Sequence, residues 1–203
     1  MITDQLLARF PLISDQVDEK ELRALLTELE LLLKSGARGA VVEFGCYIGT
    51  TSLFIKRLLD VYGSKAEFHV YDSFAGLPPK TSEDESPLGV QFVEGELFAA
   101  KKQFYENFKK AGLAAPIVHK AWFSDLTPAD VPDDVFFAFL DGDYYESIKD
   151  SLRVIEPHLV ASATIVVDDY GNEALPGASR ATDEWLAAHP MTMRIQSSLA
   201  VLR

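Results

Sequence analysis

The pattern of hydrophobic and polar positions along the chain alternates between helical and strand-like segments. Leucines spaced three and four residues apart predict a helix over residues 18–34, which Gly36 ends. Short apolar runs predict buried strands at 40–44, 67–72, 117–119, 136–140, 164–167, 192–196 and 198–202. Further helices are predicted at 50–62, 98–111, 146–155 and 179–188.

The order of these elements predicts the fold class. Strands alternate with helices over most of the chain, which is typical of a mostly parallel sheet covered on both faces. The last two strands meet at Ser197-Ser198 and predict an antiparallel edge hairpin. We therefore expect an α/β, Rossmann-like, doubly wound sheet of seven strands. Residues 1–203 are expected to form a single domain, with an N-terminal helical segment (1–36) and a sheet core (38–203).

One connection is longer than the others. Residues 76–89 are rich in proline and acidic residues and lack any hydrophobic periodicity. Connections of this length without regular structure are uncommon inside compact domains. We interpret this segment as either a mobile lid or a loose loop.

Composition and charge disfavour two classes of binding partner, nucleic acids and membranes. The 203 residues are 48% hydrophobic, and the formal net charge of −12 disfavours nucleic-acid backbones and anionic membranes. The N-terminus lacks the basic and apolar regions of a signal peptide. Cys46 is the single cysteine, so no intramolecular disulfide can form, and we expect a cytoplasmic protein without nucleic-acid or membrane partners.

A glycine-containing loop follows the first predicted strand. Glu43 leads into Gly45 and Gly49, where a helix begins, an arrangement that builds nucleotide sites at the carboxyl edge of a sheet. A pyrophosphate site needs a second early glycine, but Cys46 and Tyr47 stand there instead. The Glu43 carboxylate repels phosphate and suits an ammonium group and ribose hydroxyls. S-adenosylmethionine (SAM) is a ligand of this kind.

Four predicted strands end in acidic residues: Glu43, Asp72, Asp141 and the pair Asp168-Asp169. The carboxyl ends of parallel strands share one edge, so these side chains are expected to converge. Converging carboxylates repel one another unless a cation binds them, and all-oxygen ligands favour Mg²⁺, Mn²⁺ or Ca²⁺. A single aspartate at a strand end is more often a turn former or helix cap. The whole group favours a functional site. Asp72 is placed to accept hydrogen bonds from a ribose, a role that fits NAD as well as SAM.

Three other side chains leave alternatives open. His119 ends a strand at the same edge, where it either faces the ligand or packs against the sheet. Trp122 and Phe123 follow it and either stack on an adenine ring or close the core.

Four motifs together resemble the macrocin O-methyltransferase (TylF-like) family over residues 38–190. They are Glu43-x-Gly45-x-x-x-Gly49, Tyr71-Asp72-Ser73-Phe74-x-Gly76-Leu77-Pro78, Leu140-Asp141-Gly142-Asp143-x-Tyr145-Glu146-Ser147 and Val167-Asp168-Asp169-Tyr170. The resemblance implies a class I SAM-methyltransferase sheet. It also implies a bacterial, metal-dependent enzyme that methylates sugar hydroxyls in antibiotic biosynthesis.

The resemblance also implies roles for individual residues. The predicted metal ligands are Asp141, Asp168 and Asp169. The residues predicted to bind SAM are Glu43, Gly45, Tyr47, Gly49, Ser52, Asp72, Ser73, Phe74, Trp122, Phe123 and Asp141.

Two departures from the family pattern affect catalysis. Catechol-type methyltransferases, which are more distant, carry a lysine three residues after the first metal aspartate, and Tyr144 stands at that position here. The general base is therefore open among Asp143, Tyr145 and His119, while Asp141 is the predicted catalytic ligand. The chain begins about 40 residues before the glycine loop, so we expect a shorter segment around the acceptor pocket than in antibiotic-sugar members.

The expected activity is an SN2-like methyl transfer from SAM to a small-molecule hydroxyl, with a sugar diol of a natural product favoured by the resemblance. A homodimer is the expected assembly. One alternative is an NAD(P)-dependent oxidoreductase or epimerase, which the missing pyrophosphate glycines and the absence of a Tyr-x-x-x-Lys pair disfavour. The other is a non-catalytic SAM-binding protein.

Overall fold

A seven-stranded sheet forms the centre of the computed structural model, which describes all residues from Met1 to Arg203. Its strands are β1 (Ala40–Phe44), β2 (Glu67–Asp72), β3 (Ile117–Lys120), β4 (Val135–Leu140), β5 (Leu159–Val167), β6 (Met193–Gln196) and β7 (Leu199–Leu202). The spatial order is β3-β2-β1-β4-β5-β7-β6. Strands β1 to β5 pair in parallel, whereas β7 pairs antiparallel with both β5 and β6. The predicted sheet and its C-terminal hairpin are confirmed.

Six α-helices cover the two faces of the sheet. They are α1 (Ile2–Arg9), α2 (Glu19–Lys34), α3 (Thr50–Val61), α4 (Lys101–Ala111), α5 (Tyr145–Ile155) and α6 (Pro176–Leu186). None of them combines the length and the apolar character that a membrane crossing requires. The sequence pattern predicts all of these helices except α1.

Helix α1 is held at its start by the buried carboxylate of Glu30 on α2. This carboxylate accepts hydrogen bonds from the backbone nitrogens of Ile2 (3.0 Å) and Thr3 (2.9 Å), and from the Thr3 hydroxyl (2.7 Å). It also pairs with Lys34 at 2.8 Å. Glu30 therefore satisfies amides that a helix start leaves without partners, and the contact joins residues 27 or 28 positions apart. A periodicity argument confined to residues 2–9 cannot detect it.

The side chains of each strand alternate between two cores. Val41, Val70 and Phe139 pack on the face covered by α1 to α4. Val42 and Ala138 pack on the opposite face, against α5 and α6. This alternation follows from the two-residue repeat of a strand. Both faces of the sheet are apolar and covered by helices. Polar side chains that could bind a ligand therefore lie at the ends of the strands.

The strand order reverses between β1 and β4. From β1 the chain proceeds outwards to β2 and β3 on one side, and then returns to β4 and β5 on the other. In open α/β sheets the crevice at such a switch point, outside the carboxyl ends of the strands, is where ligands bind. The loops after β1 and β4 flank this crevice.

The long connection at 76–89 is anchored. It contains a short 3₁₀ turn, Ser82–Asp84, and the Asp84 side chain is buried. Asp84 accepts hydrogen bonds from the backbone nitrogen of Tyr145 (2.7 Å) and from the nitrogen and hydroxyl of Thr81. The Ser86 hydroxyl donates to the Glu173 carbonyl at 2.7 Å. The loose-loop interpretation is therefore wrong for this segment, because fixed contacts tie it to α5 and to the loop after β5.

Candidate active site

A cleft of about 360 Å³ opens at the carboxyl edge of the central strands. Its volume is in the range of small-molecule sites. Ten of the residues predicted from the sequence line it: Gly45, Tyr47, Asp72, Ser73, Trp122, Phe123, Asp141, Asp143, Asp168 and Asp169. The strand-end convergence predicted from the sequence therefore occurs in the structure.

The Asp72 carboxylate organises the glycine loop. Its Oδ2 accepts hydrogen bonds from the backbone nitrogens of Cys46 (2.8 Å) and Tyr47 (3.1 Å), and its Oδ1 accepts one from Phe74 (2.6 Å). Gly45 adopts φ +86°, and a Cβ there would lie 1.8 Å from the Asp141 carbonyl oxygen. The loop therefore packs directly against both the end of β2 and the end of β4.

Three residues predicted to bind SAM lie beneath the glycine loop and do not line the cleft: Glu43, Ser52 and Gly49. Glu43 is fully buried and accepts a hydrogen bond from the Ser52 hydroxyl, while its Oε1 has no partner. Burial raises the pKa of Glu43 to about 8, although the Ser52 hydrogen bond opposes this shift. Gly49 begins α3 with φ +91°, close to the ring of Phe104. Contact between Glu43 and a cofactor stays a prediction.

Three aspartates form the densest group of carboxylates in the cleft. Oxygens of Asp141, Asp143 and Asp169 all lie within 4.8 Å of one another. The sequence predicts Asp168, not Asp143, as the third member. Asp168 lines the same cleft, but one of its oxygens accepts a hydrogen bond from the Asp169 backbone nitrogen at 2.8 Å.

Burial is the main cause of the raised pKa values of these carboxyl groups. Burial, and then the charges of neighbouring aspartates, raise the pKa values of Asp141, Asp143 and Asp168 well above the usual value. The pKa of Asp169 is also raised by burial, although a hydrogen bond from Asn172 at 2.8 Å opposes the shift. Carboxyl groups held this close out of water favour either protonation or a bound cation.

Local backbone geometry explains the grouping. Asp143 and Asp169 both adopt positive φ, 60° and 57°, a conformation that aspartate tolerates better than most residues. Asp143 lies three residues after β4 ends, and Asp169 lies two residues after β5 ends. Asn172 lies within hydrogen-bonding distance of Asp169 and was missed by sequence reasoning. Its position three residues after Asp169 is the signal that could have identified it.

The His119 ring is engaged in packing. It stacks on Tyr71 with ring centroids 4.4 Å apart, and its Nε2 lies 3.0 Å from Nδ1 of His69. Burial, followed by the nearby His69, lowers the pKa of His119. His119 is not among the cleft-lining residues, so its placement gives no support to a role as general base.

Tyr145 and Phe74 also lie outside the cleft lining. The Tyr145 hydroxyl donates a hydrogen bond to Glu184 at 2.6 Å. Phe74 is buried and packs edge-on against Phe104. Among the three candidate bases, only Asp143 reaches the cleft.

Aromatic side chains line the end of the cleft beside β3. Trp122 is 38% exposed, and Phe123 packs edge-on against Phe44 with ring centroids 5.4 Å apart. Both rings line the cleft. Phe123 also packs in the core, whereas stacking of either ring on an adenine stays a prediction. Ser124 and Ser147 line the cleft as well and were not identified from the sequence.

Two further parts of the lining were missed by sequence reasoning. One is an apolar wall formed by Leu77, Pro78, Phe92, Leu97 and Leu175. The other comes from the N-terminal segment, through Asp15, Gln16 and Glu21. Both arise from contacts distant in sequence, and only Leu77 and Pro78 stand in a motif that could have indicated them.

Comparison with known proteins identifies the family of the chain. The family described as Macrocin-O-methyltransferase (TylF) matches residues 11–198. The chain belongs to this family. Structural neighbours are class I SAM methyltransferases, in agreement with the strand order of the sheet.

One relative of the chain is the 8-demethyl-8-(2,3-dimethoxy-alpha-L-rhamnosyl)-tetracenomycin-C 4'-O-methyltransferase of Streptomyces olivaceus. It is 30% identical over 152 residues, which cover 72% of this chain and 58% of the relative. The chain thus matches less than two thirds of that protein's length.

Two solved structures share the fold. The O-methyltransferase NovP superposes with a TM-score of 0.78 at 23% identity, covering 92% of this chain and 80% of NovP. CalS11, a TDP-rhamnose 3'-O-methyltransferase of calicheamicin biosynthesis, superposes with a TM-score of 0.66 at 17% identity. That match covers 100% of this chain and 91% of CalS11.

Proposed function

We propose that this protein is a SAM-dependent and divalent-metal-dependent O-methyltransferase that acts on a hydroxyl of a small molecule, in particular a sugar diol of a natural product. The observation that carries the proposal is the cleft that joins the Asp72-held glycine loop to the group Asp141, Asp143 and Asp169. Family membership and the sugar hydroxyls in the relatives' names support it.

The residues present fit SAM. Gly45, Tyr47, Asp72 and Ser73 line the cleft at the glycine loop, and Trp122 supplies an exposed aromatic face. The Glu43 Oε1 beneath the loop is buried and has no partner, so a ligand group that reached it would complete its hydrogen bonding. The amides that bind pyrophosphate in dinucleotide sites are here bound by Asp72, which argues against the oxidoreductase alternative.

The residues present also fit a hard divalent cation. We propose Asp141 and Asp169 as ligands, since they belong both to the set predicted from the sequence and to the group in the structure. Asp168 is the third ligand predicted from the sequence. Oxygen donors of this kind suit Mg²⁺, Mn²⁺ or Ca²⁺. When bound, SAM supplies an activated methyl group, and the cation supplies charge that lowers the pKa of an acceptor hydroxyl.

Asp143 is the proposed proton acceptor. It reaches the cleft, whereas the Tyr145 hydroxyl is bound to Glu184 and the His119 ring is stacked on Tyr71. With SAM and an acceptor bound, an Asp143 carboxylate oxygen would accept the proton of the acceptor hydroxyl, and SAM would supply the methyl group that takes its place. Holding the reacting groups in line contributes several kcal/mol to such reactions.

Calorimetric titration with SAM, with and without Mg²⁺, tests the proposal together with turnover measurements. We expect Asp141→Ala and Asp168→Ala to abolish turnover and leave SAM affinity within about twofold of wild type. Asp125→Ala, an exposed neighbour without a side-chain hydrogen bond, is the control. Near wild-type turnover of both variants in metal-depleted buffer would reject the metal. Absence of SAM binding would reject the whole proposal, and SAM binding without any turnover would favour a non-catalytic protein.

We also propose that residues 1–203 act as one methyltransferase domain. Leu6 of α1 and Leu25 of α2 share a core with Phe54 of α3 and Val41 of β1, which supports a single folding unit. A homodimer and a cytoplasmic location stay predictions from the sequence. Light scattering of the purified protein measures the assembly directly.

A further inference from the structure

The outermost strand of the sheet, β6, has an unpaired edge. It lies at one end of the strand order and pairs only with β7, in antiparallel register. The backbones of Thr192 and Arg203, just beyond the two strands, exchange hydrogen bonds of 2.7 and 2.9 Å. Because bonded and non-bonded pairs alternate along antiparallel strands, Met193 and Ile195 point their N–H and C=O groups away from β7. Strand β6 thus offers two donors and two acceptors to a further strand.

The opposite edge of the sheet is protected by a side chain. On β3, the Lys101 ammonium group donates a hydrogen bond to the Val118 carbonyl at 3.2 Å. Lysine at an edge strand is a common device against edge-to-edge pairing. On β6, the charged side chain of Arg194 bonds to the Glu28 carboxylate instead, and no side chain bonds to the outward backbone groups. Strand β3 therefore has a protection that β6 lacks.

The side chains at the two free positions of β6 are apolar and exposed. Ile195 is 58% exposed and Met193 is 36% exposed. They lie opposite Ala200 and Leu202 of β7, which belong to the core under α5 and α6. Both side chains therefore continue an apolar face of the sheet beyond its last paired strand. A strand added to β6 would remove them from water and satisfy the free backbone groups at the same time.

The charge of this edge differs from that of the rest of the chain. All 31 acidic residues lie within residues 1–184. Residues 185–203 contain no carboxylate side chain, and their two arginines, Arg194 and Arg203, both pair with Glu28. Two copies of a chain with a net charge of −12 repel each other, so they approach most easily where carboxylates are absent. The β6 edge meets this condition, and a second copy brings the same free strand.

We propose that β6 pairs antiparallel with β6 of a second copy of this chain and joins the two sheets into one. Two registers centre such a pairing on β6 and match the outward groups. One of them sets the two Arg194 side chains opposite each other, which like charges disfavour. The other sets Ile195 opposite Ile195 on a two-fold axis and Arg194 opposite Gln196, and this is the register proposed.

The two-fold axis of this pairing is perpendicular to the sheet. The two clefts therefore lie at opposite edges of the joined sheet, and neither copy covers the cleft of the other. The pairing does not depend on the reaction that the cleft catalyses, so it goes beyond the proposed function and is tested without SAM or a metal.

Light scattering and sedimentation velocity of the wild-type chain and two lysine variants test the pairing. Wild type should have twice the chain mass of 22.5 kDa. Ile195→Lys sets like charges on the axis and should raise the dissociation constant of the dimer at least tenfold. Ile117→Lys is the matched control, because Ile117 is 49% exposed on the opposite edge strand, and it should leave the dimer unchanged. A wild-type monomer at every concentration, or a dimer that is equally stable in both variants, overturns the proposal.

Oxidative cross-linking tests the register and keeps an uncharged edge. The Cα atoms of a hydrogen-bonded antiparallel pair are about 5.5 Å apart, which is within the range of a disulfide. Ile195→Cys should therefore form a covalent dimer on mild oxidation. Met193→Cys lies opposite Ser197 of the other copy and should not form one, while the native Cys46 is buried. Stronger cross-linking at position 193, or none at either position, overturns the proposed pairing.

Discussion

Replacement of Asp72 by alanine should destabilise the fold and weaken SAM binding together. The carboxylate accepts three backbone hydrogen bonds, from Cys46, Tyr47 and Phe74, at 2.8, 3.1 and 2.6 Å. A hydrogen bond to a charged group contributes about 1.5–3 kcal/mol, but water in the open cleft replaces part of each lost bond. About 1 kcal/mol for each bond gives a loss of about 3 kcal/mol in the free energy of unfolding.

Urea denaturation measures this loss, and thermal unfolding should show a decrease in Tm of roughly 6–12 °C for a chain of this size. SAM affinity, measured by calorimetry, should fall more than tenfold. Asp72→Asn keeps one oxygen acceptor and should give an intermediate loss of about 1–2 kcal/mol. Asp125→Ala is the control and should change neither quantity. A loss below about 1 kcal/mol in Asp72→Ala would refute the view that this carboxylate holds the loop.

Gly45→Ala should lower SAM affinity more than tenfold in calorimetry, because its Cβ would lie 1.8 Å from the Asp141 carbonyl oxygen. Gly36→Ala shares the positive φ but meets no atom within 4 Å, so equal losses in both variants would contradict the steric explanation. Glu30→Gln tests a pH dependence. Burial raises the pKa of Glu30, but hydrogen bonds from Lys34 and Thr3 outweigh burial and lower it. The contribution of Glu30 to the free energy of unfolding is therefore present at pH 7 and is lost as the pH falls below about 4.5. The difference in unfolding free energy between wild type and Glu30→Gln should shrink towards low pH, whereas the exposed control Glu94→Gln should show no difference at any pH.

Local sequence patterns predicted the sheet because its strands are short apolar runs bounded by breakers. Strands β1 and β2 begin and end at the predicted residues, 40–44 and 67–72. Helices α2 and α3 lie within one residue of the predicted bounds for the same reason, since a leucine stripe and a glycine mark each of them. The edge at which the acidic residues meet then follows from parallel pairing alone.

The composition of the carboxylate group depends on backbone turns that the pattern does not encode. Positive φ at Asp143 and Asp169 brings their oxygens close to Asp141, while an Asp168 oxygen binds the neighbouring amide. His119 shows the same limit, because its stacking on Tyr71 depends on the register between β3 and β2.

The connection after β2 has two parts, and only the first is anchored to α5 by the buried Asp84 carboxylate. Residues near Thr81 and Asp84 are tied to the start of α5, so they open only when that helix end opens too. The segment from Leu88 to Phe98 has no such anchor to α5 and exposes Leu88, Val90, Val93 and Phe98. Phe92 and Leu97 of this second part line the cleft without belonging to the acidic group or the glycine loop. Acceptor preference can therefore change through substitutions in this segment while the aspartates and the glycine loop stay as they are.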